Sequence, residues 1–221
     1  MSGQTPYAYM PAFNVSLFLS ANPDDVKRAV AAGYPAGTVL KTDPEDRMED
    51  KELRIAFDFD GVIVDDEAEK AYSRRESVAD FHKAETKKAN IPLEPGPLGD
   101  LFKKLSYFQK IERKREFKES GKYKRIIRTA IVSARNAPAD QRVTTTLRKW
   151  GVSPDETFFL GGIEKKRVLS ILKPHIFFDD QIAHLQTAAG NIPSVHIPFG
   201  IRNRPKPYEI EPRRRGLKNR R

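Results

Sequence analysis

The chain has 221 residues, 38% of them hydrophobic and 32% charged, which suits one sizeable core, or a core domain with a small insertion. It contains no cysteine, which excludes disulfides, thiolate metal sites and cysteine nucleophiles and fits a reducing compartment. No apolar run approaches the roughly 18 residues of a membrane span and no basic segment leads into an apolar stretch at the start, so a cytoplasmic protein with no membrane partner is expected.

Taken in chain order, the first β-branched and aromatic run is 15–19, and the second, 53–57, leads into Asp58-Phe59-Asp60-Gly61-Val62. Residues 66–89 read as helical. The prolines of Ile91-Pro92-Leu93-Glu94-Pro95-Gly96-Pro97 exclude helix and force a loop, and 101–119 reads as a second helix. Runs at 126–132, 157–160, 176–178 and 195–197 follow. Their nearly continuous hydrophobicity is what strands buried on both faces of a parallel sheet require. Between them lie helices at 138–150, closed by Gly151 in the left-handed cap position, at 165–172, closed by Pro174, and at 181–189, followed by Gly190.

This alternation predicts an open α/β sheet with right-handed crossovers. The segment 66–122 is longer than a single crossover needs and is read as a helical cap inserted into a core of residues 1–65 and 123–203. The net charge of +10 comes from Lys and Arg concentrated at 103–128 and 213–221, a surface that attracts polyanions and steers small phosphates. The basic tail 204–221 has almost no apolar content, so it is read as disordered and as a source of weak, nonspecific nucleic-acid binding.

In open α/β sheets, ligands bind beyond the carboxyl ends of the strands. Polar residues directly after each apolar run are therefore the candidates: Asp58 and Asp60, then Ser133-Ala134-Arg135, then Asp179-Asp180, with Lys165 opening the helix after the run at 157–160. An isolated Asp-x-Asp pair is weak evidence, because aspartates also cap helices and shape turns. Two such pairs at one sheet edge repel each other, and a hard cation such as Mg²⁺ resolves the conflict through oxygen ligands shared with a phosphate. A lysine adds charge suited to phosphate oxygens. The constellation points to phosphoryl transfer.

These residues resemble the four-motif set of the haloacid dehalogenase (HAD-like) superfamily of phosphatases, which implies a Rossmannoid open parallel sheet with a cap. Longer stretches are similar to the cytosolic 5'-nucleotidase I family: Ile131-Val132-Ser133-Ala134-Arg135, Thr146-Leu147-Arg148-Lys149-Trp150-Gly151, Lys173-Pro174-His175-Ile176-Phe177-Phe178-Asp179-Asp180-Gln181 and His196-Ile197-Pro198-Phe199-Gly200. The resemblance runs from about Phe13 to Gly200, and family members carry a longer region ahead of it.

The resemblance implies that Asp58 attacks phosphorus to form an aspartyl-phosphate, and that Asp60 acts as acid and base while offering its carbonyl to Mg²⁺. Asp179 and Asp180 complete the metal site, in an order the sequence leaves open. Ser133 and the Ala134 N–H bind phosphoryl oxygens, and Lys165, preferred over Lys166, neutralises charge in the transition state. Arg135 is a candidate for phosphate contact or for a salt bridge. Asp66, Glu67 and Phe81 are candidates for nucleoside contact. His175 and His196 read as structural, His184 as a neighbour of the site and Trp150 as core. The expected activity is Mg²⁺-dependent hydrolysis of nucleoside 5'-monophosphates. Two alternatives stand beside it: a phosphatase acting on nucleic-acid ends, and a non-catalytic nucleotide-binding regulator.

Overall fold

The computed structural model describes residues 9–44, 49–73, 77–120, 122–188 and 190–203, so the basic tail lies outside the described residues. Seven strands form one sheet: β1 (Phe18–Ser20), β2 (Ala36–Val39), β3 (Leu53–Phe57), β4 (Ile127–Ser133), β5 (Glu156–Phe159), β6 (Ile176–Asp179) and β7 (Ser194–His196), in spatial order β1-β2-β7-β6-β3-β4-β5. All neighbours are parallel except β2 and β7. The open, mostly parallel α/β sheet expected from the sequence is present.

The central strands are apolar throughout because helices cover both faces. Successive side chains point to opposite sides of a strand. Ile55, Phe57, Ile131 and Phe178 therefore face one layer, where they join Phe102 of α4 (Gly99–Lys118) and Val143 and Leu147 of α5 (Asp140–Trp150). Ala56, Ala130, Val132 and Phe177 face the other, against Leu169 of α6 (Lys165–Leu172) and Leu185 of α7 (Ile182–Ala188). Phe57 is fully buried, its ring stacked on Phe178 at 5.2 Å and edge-on to Phe102 at 5.4 Å. Burial of one such ring contributes roughly 1.5–3 kcal/mol. The helix ends agree with the reading of the sequence: α5 stops at Gly151 with φ 64°, and α6 runs from Lys165 to Leu172.

Three departures have local causes. β2 was not anticipated because Ala36-Gly37-Thr38-Val39 carries no long apolar run; it pairs because Gly37 leaves room for Val195 and Ile197. The helix at the start of the chain, α1 (Pro23–Ala31), also escaped, although Asn22 caps it by accepting the Asp24 N–H at 3.0 Å. The helix expected over 66–89 is two, α2 (Glu67–Ser73) and α3 (Val78–Lys87), because the Ser77 hydroxyl accepts the Asp80 N–H at 3.2 Å and starts a new helix.

Within 66–122 the helices have different neighbours. α4 lies against β4 and the core face through Phe102, whereas α2 and α3 border the carboxyl edge of the sheet through Tyr72, Val78 and Phe81. The proline-rich loop is not helical and packs on the segment after β3, with Gly96 N–H donating to Ile63 O at 2.9 Å and Leu98 N–H to Val62 O at 2.9 Å.

Candidate active site

Three parallel strands end at the same edge. β3 delivers Asp58, β4 ends in Ser133, and β6 ends in Asp179 followed by Asp180, all buried. Lys165, also buried at the start of α6, places its Nζ 2.8 Å from Asp58 Oδ1 and 2.7 Å from Asp179 Oδ2. The neighbouring Lys166 is exposed and lines a different cavity, beside His175 and Asn191. The Asp58 carboxylate also accepts the Phe59 N–H at 2.7 Å, which fixes its plane.

Charge sorts the carboxylates. Burial pushes Asp58 up to about 6; Lys165 opposes this, while Asp179 and Asp60 add to it. Burial would also raise Asp179, but Lys165 and His184, 3.2 Å away, outweigh it and hold the group below its ordinary value. Lys165 resists the deprotonation that burial favours because Asp58 and Asp179 flank it. Asp180 is the outlier. Burial, with Asp58, Glu69 and Asp179 nearby, drives it up to about 10, and neither of its buried oxygens has a hydrogen-bond partner.

An unpartnered buried carboxylate is costly unless a cation or donor meets it. The main chain around Asp180 is tightly held, with the Asn203 amide donating to its carbonyl at 2.9 Å and His196 Nε2 at 3.0 Å from the same oxygen. Gly61, with φ 73°, lies so close that an added Cβ would sit 2.8 Å from Asp180 Oδ2. All-oxygen ligands at such a point suit a hard divalent cation. Asp58, Asp179 and His184 also bring potential ligand atoms within 4.8 Å of one another. There, however, the Asp179 oxygens already meet Lys165, His184 and the Gln181 N–H.

A cavity of about 370 Å³ opens onto this edge. Asp58, Asp60, Ser133, Ala134 and Arg135 line it from the core, and Glu69, Tyr72, Phe81 and His82 from α2 and α3. Phe81 and Tyr72 meet edge to face at 5.4 Å. Asp66 and Glu67 are directed elsewhere. Asp66 pairs with Lys70 at 2.5 Å and accepts the Ile201 N–H at 2.8 Å, while Glu67 pairs with Lys88 at 2.6 Å and Arg142 at 3.0 Å. Arg135 grips Asp60 with two N–H groups, at 2.7 and 2.8 Å, and its remaining terminal nitrogen donates to Glu85 and Ala139 O. Trp150 packs on the core, as expected, and His175 accepts the Arg54 N–H at 3.0 Å in a structural role.

Sequence reasoning passed over Glu69, Tyr72 and Gln181. The first two sit on one side of α2, and Gln181, next to Asp180, donates to Glu69 at 3.1 Å. Tyr72 carries no local signal, because it meets Phe81 only across two separate helices.

Comparison with known proteins agrees with the resemblance. The human protein cytosolic 5'-nucleotidase 1B is 34% identical over 190 residues, which cover 84% of this chain and 30% of that protein. The chain thus spans less than a third of the length of the curated relative it matches. No solved structure matches it significantly. A sequence profile described as 5'-nucleotidase matches residues 1–204, nearly the whole chain and every residue of the edge just described, so the chain belongs to the 5'-nucleotidase family.

Proposed function

We propose that this chain hydrolyses nucleoside 5'-monophosphates to nucleoside and phosphate by two displacements at Asp58. The observation that carries the reading is the convergence of Asp58, Ser133, Lys165 and Asp180 on one sheet edge, under a cavity whose far wall is aromatic. Asp58 Oδ attacks phosphorus, the bond to the ribose oxygen breaks, and Asp60 supplies the proton that oxygen needs. Water then attacks the aspartyl-phosphate, and Asp60 takes the water's proton. Ser133 Oγ and the Ala134 N–H receive phosphoryl oxygens. Lys165 keeps its charge between Asp58 and Asp179, where it offsets the negative charge that spreads in the transition state.

Mg²⁺ fits as the resident cation. Asp58, the Asp60 carbonyl and Asp180 would hold it, with Asp180 preferred over Asp179 because only Asp180 has unpartnered oxygens. When bound, it supplies charge neutralisation between the carboxylates and the phosphate. Asp179 is then a positioning group, orienting Lys165.

We assign α2 and α3 as the cap. They would exclude water from the aspartyl-phosphate, with Phe81 and Tyr72 offering apolar surface to a nucleobase. The cavity lining favours a mononucleotide over a nucleic-acid end: no lysine from 103–128 is part of it. Among the described residues no helix is long and apolar enough to cross a membrane, and a cytoplasmic site of action accords with the relative's name.

The test is phosphate release from a panel of nucleoside monophosphates and end-phosphorylated oligonucleotides with Mg²⁺, with EDTA, and with Asp58→Asn. Turnover lost in both controls is expected. Equal turnover by Asp58→Asn would sink the proposal. Turnover confined to oligonucleotide 5' or 3' phosphates would replace the substrate and keep the chemistry.

A further inference from the structure

Behind the cavity, opposite charges alternate in an unbroken chain whose inner members are buried. Asp60 is gripped by Arg135; Arg135 Nη1 is 2.6 Å from Glu85 Oε2 on α3; Glu85 Oε1 is 3.1 Å from Arg142 Nη1 on α5; Arg142 Nη2 is 3.0 Å from Glu67 on α2. Arg142 is 1% exposed, Glu85 3% and Arg135 6%. Neither Glu85 nor Arg142 is among the residues lining the cavity. Buried charges at this density are expensive to desolvate, and hydrophobic residues of similar volume often serve stability as well or better. Their presence suggests a use other than stability.

We propose that Glu85 and Arg142 are positioning residues that act on Asp60 through Arg135. A guanidinium is a rigid planar fork. Two of its nitrogens, Nε and Nη2, engage the two oxygens of Asp60, so the orientation of the fork sets the plane of the Asp60 carboxylate. What sets the fork is Nη1, fixed between Glu85 Oε2 and Ala139 O at 2.9 Å. Arg142 in turn fixes Glu85, and is itself held by Ile91 O at 2.8 Å and by Glu67. Because Glu85 rides on α3 and Glu67 on α2, the cap helices and the acid–base carboxylate share one rigid linkage. Displacement of α3 would rotate the fork and spoil the aim of Asp60. General acid–base assistance is typically worth about a hundred- to ten-thousandfold, and small errors of placement are costly.

This inference rests on Asp60 being the acid–base group, and the experiment separates the two. Wild type, Asp60→Asn, Glu85→Gln and Asp60→Asn/Glu85→Gln are compared in kcat and KM for a nucleoside monophosphate with Mg²⁺. Glu85→Gln should lower kcat by about tenfold or more, with KM within about threefold. The double variant should be no slower than Asp60→Asn alone, because residues that act through one group are non-additive. Arg142→Lys keeps the charge and loses the fork; it should show a smaller loss with the same non-additivity, and it serves if Glu85→Gln does not fold. Losses that multiply in the double variant, a change in KM alone, or unchanged kinetics in a folded Glu85→Gln would overturn the positioning role. Undiminished activity in Asp60→Asn would instead overturn the acid–base reading beneath it.

Discussion

The two edges of the sheet handle buried charge in opposite ways. At the amino edge, before β3 and β6, Arg54 meets Asp50, Glu52 and the Lys173 carbonyl, and His175 accepts the Arg54 N–H. At the carboxyl edge, Lys165 meets two carboxylates while the Asp180 carboxyl has no hydrogen-bond partner. A closed set of pairs contributes to stability and asks for nothing else. An edge with more buried carboxylate than cation loses stability on its own and offers a site to a ligand of the missing sign. The difference separates structural from functional polarity more sharply than residue type does, since carboxylates and basic side chains stand at both edges.

Removing Lys165 should break the comparison hardest. Lys165→Met leaves Asp58 and Asp179 facing each other without their shared cation, and breaking a buried pair in this way costs about 3–5 kcal/mol. For a chain of this size that is a fall in Tm of about 6–20 °C. Nucleotidase turnover should drop on the order of a hundredfold or more, as when a preorganised transition-state donor is lost. Thermal melts and kcat measured together check both; a stable, active variant would refute the assigned role.

Asp180→Asn sharpens the comparison, because stability and function should move in opposite directions. Without metal the variant should melt higher by about 2–12 °C, since an unpartnered buried carboxylate costs about 1–3 kcal/mol. The rise in Tm that the proposed Mg²⁺ site predicts for the wild type should be absent from the variant. Calorimetric titration with Mg²⁺ reads the same loss without reference to activity. A variant that binds Mg²⁺ normally would shift the site toward Asp179 and His184.

The carboxyl edge was legible in the sequence because a strand buried on both faces writes its own boundaries. Continuous apolar runs locate Asp58, Ser133 and Asp179 at strand ends, and topology alone brings strand ends together. Roles beyond that edge were less legible. Asp66 and Glu67 were candidates for nucleoside contact as part of the cap, yet their partners are Lys70, the Ile201 N–H, Lys88 and Arg142, none of which local pattern reveals. Glu85 looked like one more charge on an amphipathic helix. Its partner Arg142 lies 57 residues away, and only packing of α3 against α5 makes them a pair. β2 was missed for a related reason: its place depends on Gly37 fitting under Val195, a property of β7.

At the amino edge, Arg54→Met should lower Tm by a few degrees, about 1–2 kcal/mol, because its partners Asp50 and Glu52 stay in contact with water. Nucleotidase activity should stay unchanged, which a truly separate structural edge requires. The smallest effect is its pH dependence. Hydrogen bonding by Arg54 holds the Asp50 carboxyl down at about 2, below the roughly 3.9 of an unfolded aspartate. A depressed folded value favours the folded state above the unfolded value, and that contribution disappears as pH falls through the folded one. The Tm advantage of wild type over Arg54→Met should therefore be constant above about pH 5 and shrink between about pH 4 and pH 2. Parallel melting curves across that window would mean that Asp50 gains nothing from Arg54, and that the amino edge is a surface arrangement without energetic weight.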